Sequence, residues 1–521
     1  MDPIEKINLF CTEIEKELEI YGDIVSENLI HITYDLFTFT NSEGEEYKKI
    51  AEEKLKTLAN NAQKYTKVWL YSAALALTFN AAILEEFLQY IIEEKTFSAN
   101  IKYFLYYQIK ATVFRYTSLE QNNIKYLKWK LLEQIVGQFK TKIQDLLIPI
   151  PLEERDHNLA VVITEQLRDG MHSPSKIALD RCKILIEEMH KKVLLINTAE
   201  ILSQVGCIPY YGSFYGNYWD EMLSQEILEW KGTKIPFFQC ENNMPNTTDL
   251  RTLLQTIRNI KPGLVIAIGG SGILANLIDT IIPVLTVGLT PSALEATMTT
   301  CQTLSRSLPP EDLELLHKLE IDNTSVIQSI FTSSLMPQVS TVTREELGLP
   351  QNKFVIVIVG YRLDTDIDAS FMEMLNQAVD DDIVIAMIGT FKSYTDYRNK
   401  IPTLEGKIHC LGLTRDILAW LAVCDLFVNP YRRGGGTSGV EALYQGIPVV
   451  TTPYGDVATN AGADFWTDSY ETMPALIRKY KNDTAFYHEM SVKAKERAKI
   501  LLDTAGEFKR IIGEFEKRSQ I

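Results

Sequence analysis

Apolar residues in the first part of the chain recur at three- and four-residue intervals, as in Ile14, Leu18 and Tyr21 and through the stretch Val68–Ile92. That spacing is the mark of amphipathic helices. Gly22, Gly44 and Gly137 are the only glycines before Pro149, so residues 1–150 are predicted to form an all-helical domain. The stretch 43–95 suits stacked helical hairpins, although no repeat of fixed period stands out. The run Val68–Leu84 is uncharged but carries Ser72, Thr78 and Asn80 and falls short of a membrane span; it is predicted to be a buried helix. Pro149 and Pro151 mark the boundary to the next segment.

Beyond residue 151 short apolar runs alternate with helical patterns. Strands are predicted at 159–164, 193–197, 235–239 and 264–268, with helices at 175–190 and 247–260. A second series begins after Pro350, with strands at 354–360, 383–389, 407–412, 425–430 and 447–452, and helices at 371–378, 416–423 and 438–445. A charged amphipathic helical tail runs from Phe486 onward. Continuous apolar strands between helices describe parallel sheets covered on both faces. The predicted organisation is a helical domain (1–150) and two Rossmann-like α/β domains (151–345 and 346–521). A ligand would bind in the cleft between the α/β domains, at the carboxyl ends of the strands.

Composition narrows the function. The 521 residues carry a net charge of −16, which disfavours nucleic acid as a partner. The seven cysteines are scattered, odd in number and without a CxxC pair, which argues against a disulfide framework or a zinc site and for a reducing cytoplasm. The start, MDPIEKINLF, lacks the pattern of a signal peptide.

The richest stretch is Asn429–Thr452, NPYRRGGGTSGVEALYQGIPVVTT. Gly434, Gly435 and Gly436 remove every side chain where a phosphate can approach the backbone. Thr437 and Ser438 then open a helix whose free amides and dipole favour an anion. Glu441 lies one turn inside, placed to meet ribose hydroxyls or, alternatively, to complete a capping box with Ser438. The whole reads as a site for a nucleotide diphosphate.

This segment, with its EALYQGIPVV pattern and two flanking α/β domains, resembles the GT-B fold glycosyltransferases of the family called glycosyl transferases group 1. It also has some likeness to bacterial relatives of protein O-GlcNAc transferase. The resemblance covers residues from about 155 to 515 and implies a metal-independent transfer of a hexose or N-acetylhexosamine from a nucleotide-sugar, with a UDP-sugar the first expectation. It implies that Glu441 holds the donor ribose. Arg362, in Val359-Gly-Tyr-Arg-Leu-Asp364, would face the diphosphate and carry transition-state charge. Leu411 and Gly412 would bind the base through the backbone. Many relatives place a sugar-contacting Glu where this chain has Arg433, and a Lys where it has Asp364, Thr365, Asp366 and Asp368; Lys392 is a substitute cation. The retaining or inverting outcome therefore stays open.

On the acceptor side the candidates are Gly170 and His172, in the loop after the first strand, and Ser271 in the GGSG turn at 269–272. His172 has the intrinsic pKa of a proton acceptor. The aromatic loop Tyr210–Tyr218 would stack on a sugar, bind a peptide or cover the core. Asp364, Asp366 and Asp368 are read as a solvated turn rather than a metal site, and no cofactor is expected. A bacterial protein is the expected acceptor, with a glycan or lipid-linked acceptor at the membrane as the competing choice. The helical domain would receive a protein partner or acceptor. A cytoplasmic place is expected, with a peripheral position at the membrane as the competing one. A non-catalytic GT-B partner subunit and a sugar-nucleotide epimerase are the alternative functions.

Overall fold

The computed structural model describes residues 2–168, 172–201, 210 and 218–519, except the side chains of residues 398 and 399. Seven helices open the chain: α1 Pro3–Tyr21, α2 Glu27–Glu43, α3 Glu45–Asn61, α4 Lys64–Thr78, α5 Ala81–Glu93, α6 Ala99–Arg115 and α7 Asn122–Ile143. The apolar run at 68–84 is not one helix. Phe79 adopts a left-handed conformation with φ of 51°, and the Asn80 side chain accepts from the Ala82 amide at 2.9 Å to start α5. A local cap thus divides a run that hydropathy alone reads as continuous. Among the described residues no helix is long and apolar enough to cross a membrane.

The first α/β unit has a sheet of eight strands: β1 Asp156–Thr164, β2 Lys192–Asn197, β3 Ile227–Trp230, β4 Thr233–Gln239, β5 Pro262–Ile268, β6 Val284–Val287, β7 Cys301–Leu304 and β8 Val326–Gln328. Their spatial order is β3-β4-β2-β1-β5-β6-β7-β8, and the pairings are parallel except the β3–β4 hairpin. Helices α8 Ser173–Glu187, α9 Thr247–Ile260, α10 Ile273–Ile278 and α11 Pro310–Lys318 accompany it. The second unit has β9 Phe354–Gly360, β10 Ile383–Gly389, β11 Ile408–Gly412, β12 Leu426–Val428 and β13 Val449–Val450, in the order β11-β10-β9-β12-β13. Its helices are α12 Leu363–Asp366, α13 Ala369–Ala378, α14 Tyr394–Lys400, α15 Ile417–Leu421, α16 Gly436–Tyr444, α17 Gly455–Ala461, α18 Met473–Asn482 and α19 Thr484–Leu502; α20 Thr504–Arg518 ends the chain.

Successive strand residues point to opposite faces, and here the two faces have different owners. Val161, Ile163, Val265 and Ala267 share one core with the N-terminal helices, α9 and α10. Ala160, Val162, Leu264 and Ile266 pack with α8 and with Phe508, Ile511, Ile512 and Phe515 of α20. Packing joins elements that chain order separates. The core of residues 1–150 runs on into one face of the first sheet. The last helix crosses back from the second unit to cover the other. Trp129 Nε1 donating to Thr297 O at 2.9 Å and the Arg251–Asp145 fork at 2.7 and 2.6 Å tie the helical region down.

Candidate functional site

The site is built where the helices following β1 and β12 begin. Pro174 lies in the first turn of α8, where a missing N–H costs nothing. Ser173 Oγ meets Thr437 Oγ1 of α16 at 2.9 Å across the cleft. The first turns of α8 and α16 thus converge, and among the described residues no side-chain cap is formed at either of them. Two helix N-termini facing one space favour an anion through their free amides and aligned dipoles.

The glycine loop that delivers α16 is more constrained than its sequence suggests. Gly434 and Gly435 have φ of 91° and 76°, the left-handed region that side chains avoid. A Cβ at Gly435 would stand 2.7 Å from Arg432 Nη2, and one at Gly436 2.9 Å from Asn460 Nδ2. The space expected for a ligand is in part filled by the protein's own side chains. The Gly434 amide donates to Asp456 Oδ2 at 2.9 Å, which removes it from the phosphate-binding set. The amides of Gly436, Thr437 and Ser438 open the helix.

Arg362 lies beside this loop. Its guanidinium donates to Arg433 O at 2.9 Å, stands 4.6 Å from the centre of the Phe114 ring and pairs with Asp366 at 3.4 Å. The neighbouring aspartates have separate tasks. Asp366 also pairs with the buried Arg432 at 3.0 Å, Asp364 accepts from the Ser393 amide at 2.7 Å, and Asp368 caps α13 through the Phe371 amide at 2.7 Å. Among the described residues no group of three metal-ligating side chains occurs. Lys392 is exposed.

Glu441 is buried. The capping-box alternative fails, because α16 starts at Gly436, with Gly435 rather than Ser438 at its cap. Among the described residues no hydrogen bond to its carboxylate is formed. Burial pushes the carboxyl up to about 7, opposed by the charge of Lys176 on α8. A desolvated acceptor with no protein donor is well suited to a ligand's hydroxyls. Leu411 and Gly412 end β11, where Gly412 has φ of 77° and open space at its Cβ position. His409 on the same strand buries an Nε2 without a hydrogen-bond partner.

On the other side of the cleft, His172 immediately precedes α8, with Nδ1 3.0 Å from Ser175 Oγ. Gly170 lies outside the described residues. Ser271 is buried and its hydroxyl is occupied: it receives Lys110 Nζ at 2.5 Å and donates to Glu165 Oε1 at 3.4 Å. It therefore organises Glu165 rather than opening on an acceptor. The GGSG turn is glycine-rich partly for the same reason, since a Cβ at Gly272 would meet Glu165 and Glu200 at 3.3 Å. Burial and the nearby Glu165 raise the Glu200 carboxyl to about 8. Of the aromatic loop, Tyr211–Asn217 lies outside the described residues, and Tyr210 packs into the helical core against Trp69 and Tyr34.

Sequence reading missed Arg432, Asp456 and Ser292, and placed Asp366 in a solvated turn, whereas its side chain is only 5% exposed between Arg432 and Arg362. Asp456 accepts from Ser292 Oγ at 2.6 Å and so links the first α/β unit to the glycine loop. Only Gly-rich spacing hinted at these packed partners.

Two α/β units facing across a cleft, with the second supplying a glycine loop and an acidic helix, define the GT-B fold of glycosyltransferases. Residues 353–480 match the family model of glycosyl transferases group 1. The chain is similar to a variant of the Thermobaculum terrenum O-GlcNAc transferase, with 13% identity and a TM-score of 0.55 over 100% of this chain and 99% of that one. It is similar to a glycosyltransferase from Rickettsia africae at 12% identity and a TM-score of 0.50, over 70% of this chain and 99% of the other. Anabaena HepE, solved in complex with UDP, aligns at 13% identity and a TM-score of 0.49, over 69% and 99%. No curated protein sequence matches the chain. The likeness over the whole length includes the N-terminal helices, so the helical region is part of the shared architecture.

Proposed function

We propose that the chain is a glycosyltransferase that takes a hexose or N-acetylhexosamine from a nucleotide-sugar. The observation that carries this reading is the convergence of two helix N-termini, the Arg362 guanidinium and the buried carboxylate of Glu441 on one cleft. The first three suit a diphosphate and the last a ribose. The base lies against the end of β11 at Leu411 and Gly412, and UDP is the donor nucleotide.

In the reaction the acceptor oxygen bonds to the anomeric carbon as the bond from that carbon to the diphosphate oxygen breaks. Charge grows on the leaving diphosphate, where Arg362 and the amides of Gly436–Ser438 lower its energy. With Nδ1 turned to Ser175, Nε2 of His172 takes the proton lost by the acceptor hydroxyl, giving inversion. If the leaving phosphate takes that proton instead, configuration is retained and His172→Ala keeps most of its activity. The tasks already held by Asp364, Asp366 and Asp368 support a reaction without a metal cofactor, and activity in EDTA checks this.

The acceptor in this reading is a protein or glycan met on the helical side, in the cytoplasm. A thermal-shift screen of UDP-, GDP- and ADP-sugars is the first test, since a specific ligand raises the midpoint by mass action. Release of nucleotide only when acceptor is present supports transfer. Conversion of the sugar without glycoside formation would identify an epimerase, and donor binding without either product a non-catalytic subunit.

A further inference from the structure

The helical region touches the donor half of the cleft at two places that neither the glycine loop nor the Rossmann pattern calls for. Phe114, near the end of α6, lies under the Arg362 guanidinium at 4.6 Å, and a Cβ at Gly434 would be 3.6 Å from its Cζ. Glu120, in the α6–α7 connection, pairs with Arg433 of the loop and accepts from Tyr454 Oη at 2.8 Å. Both ends of the Glu120–Arg433 pair are largely buried, with 13% and 10% of their side chains exposed. Tyr454 in turn stacks on Tyr431, with ring centres 4.1 Å apart. Arg433 O is the acceptor for Arg362, so Phe114 touches Arg362 directly and Glu120 reaches it through Arg433.

We propose that Phe114 and Glu120 are positioning residues of the donor site: the helical region sets the orientation of Arg362 and of the glycine loop toward the donor diphosphate. This rests on the nucleotide-sugar reading above. The ring fixes the plane of the guanidinium and leaves Nε and Nη1 for phosphate oxygens, while its Nη2 edge is held by Arg433 O and Asp366. The Glu120–Arg433 pair holds the carbonyl that anchors that edge. A cation held in place loses less freedom on binding than a mobile one. The helical region is thereby a working part of the donor site as well as a cover for the first sheet.

The test uses the full-length protein, isothermal titration with UDP, GDP and ADP, and the nucleoside monophosphate of whichever binds best. Phe114→Ala and Glu120→Gln are each expected to weaken diphosphate binding about tenfold. Monophosphate affinity should change by less than about threefold, because the base and ribose contacts lie elsewhere. Glu120→Arg is expected to be worse, and Glu120→Arg with Arg433→Glu to recover most of the loss. Variants that melt earlier yet bind the diphosphate as the wild type does would overturn the proposal and leave a structural contact only. If the wild type binds none of the three diphosphates, the donor reading itself fails and this proposal with it.

Discussion

Glu441 is a carboxylate that the folded protein alone does not reward. Burial holds its pKa near 7, above the ordinary 4.5. The folded state therefore binds more protons than the unfolded chain between about pH 4.5 and 7, and stability falls as pH rises through that window. The cost is on the order of 3 kcal/mol once the group is ionised. Glu441→Gln should gain stability relative to the parent as pH is raised from 5 to 8, read from thermal midpoints at each pH. Ribose hydroxyls donate to the ionised form, so donor affinity of the parent should rise with pH through about 7. In Glu441→Gln that rise should flatten, and affinity at pH 8 should fall about 10- to 100-fold, the loss of hydrogen bonds to a charged acceptor. A full donor affinity in the glutamine variant would end the ribose assignment. Arg432 is the opposite case. It is buried and bound to Asp366 at 3.0 Å, to Asn429 Oδ1 at 2.9 Å and to Val359 O at 2.6 Å. Arg432→Met leaves a buried aspartate poorly paired and should cost about 3–5 kcal/mol in chemical denaturation.

At the scale of elements, the glycine loop shows which parts of the site were legible. Three glycines followed by Thr-Ser and an acidic helix announce an anion site, because free backbone amides need small neighbours. The reason for each glycine was hidden, since Arg432 folds back onto its own loop and Asp456 and Asn460 come from α17. Buried parallel strands such as 354–360 and 383–389 were visible as unbroken apolar runs. The short strands β6, β7 and β8 were not read from the sequence. Gly435→Ala must hold a left-handed φ and place a methyl 2.7 Å from Arg432 Nη2, which the Asp366 pair prevents from moving aside. It should lose about 2 kcal/mol or more together with donor affinity. Gly137→Ala, within α7 and with nothing within 4 Å, should instead be neutral or stabilising by about 0.5–1 kcal/mol. Paired unfolding curves for the two variants separate backbone demand from generic loss at glycine.

The whole molecule is held together by crossings that chain order conceals. α20 follows the second α/β unit, yet Phe508, Ile511, Ile512 and Phe515 are seated on the first sheet. The Ile330 amide donates to Glu507 Oε1 at 2.7 Å, Arg518 Nη1 to Val326 O at 3.0 Å, and Lys509 pairs with Glu188 at 3.0 Å. The amphipathic tail was evident from its periodicity, but periodicity names a face and not the surface that covers it. Burying four such side chains is worth roughly 6–12 kcal/mol at most, while the ion pair at Glu188 is exposed and adds little. The second sheet has its own core, built from residues 349–501, and does not depend on α20. A fragment of residues 346–521 should therefore fold with α20 unseated. Its amides from 504 to 518 should exchange with solvent at nearly unprotected rates, whereas in the full chain they should be protected with β1 and β5. Equal protection in fragment and full chain would mean that the helix has a seat on the second unit. Loss of protection confined to α20 would show that this helix joins the two halves of the cleft.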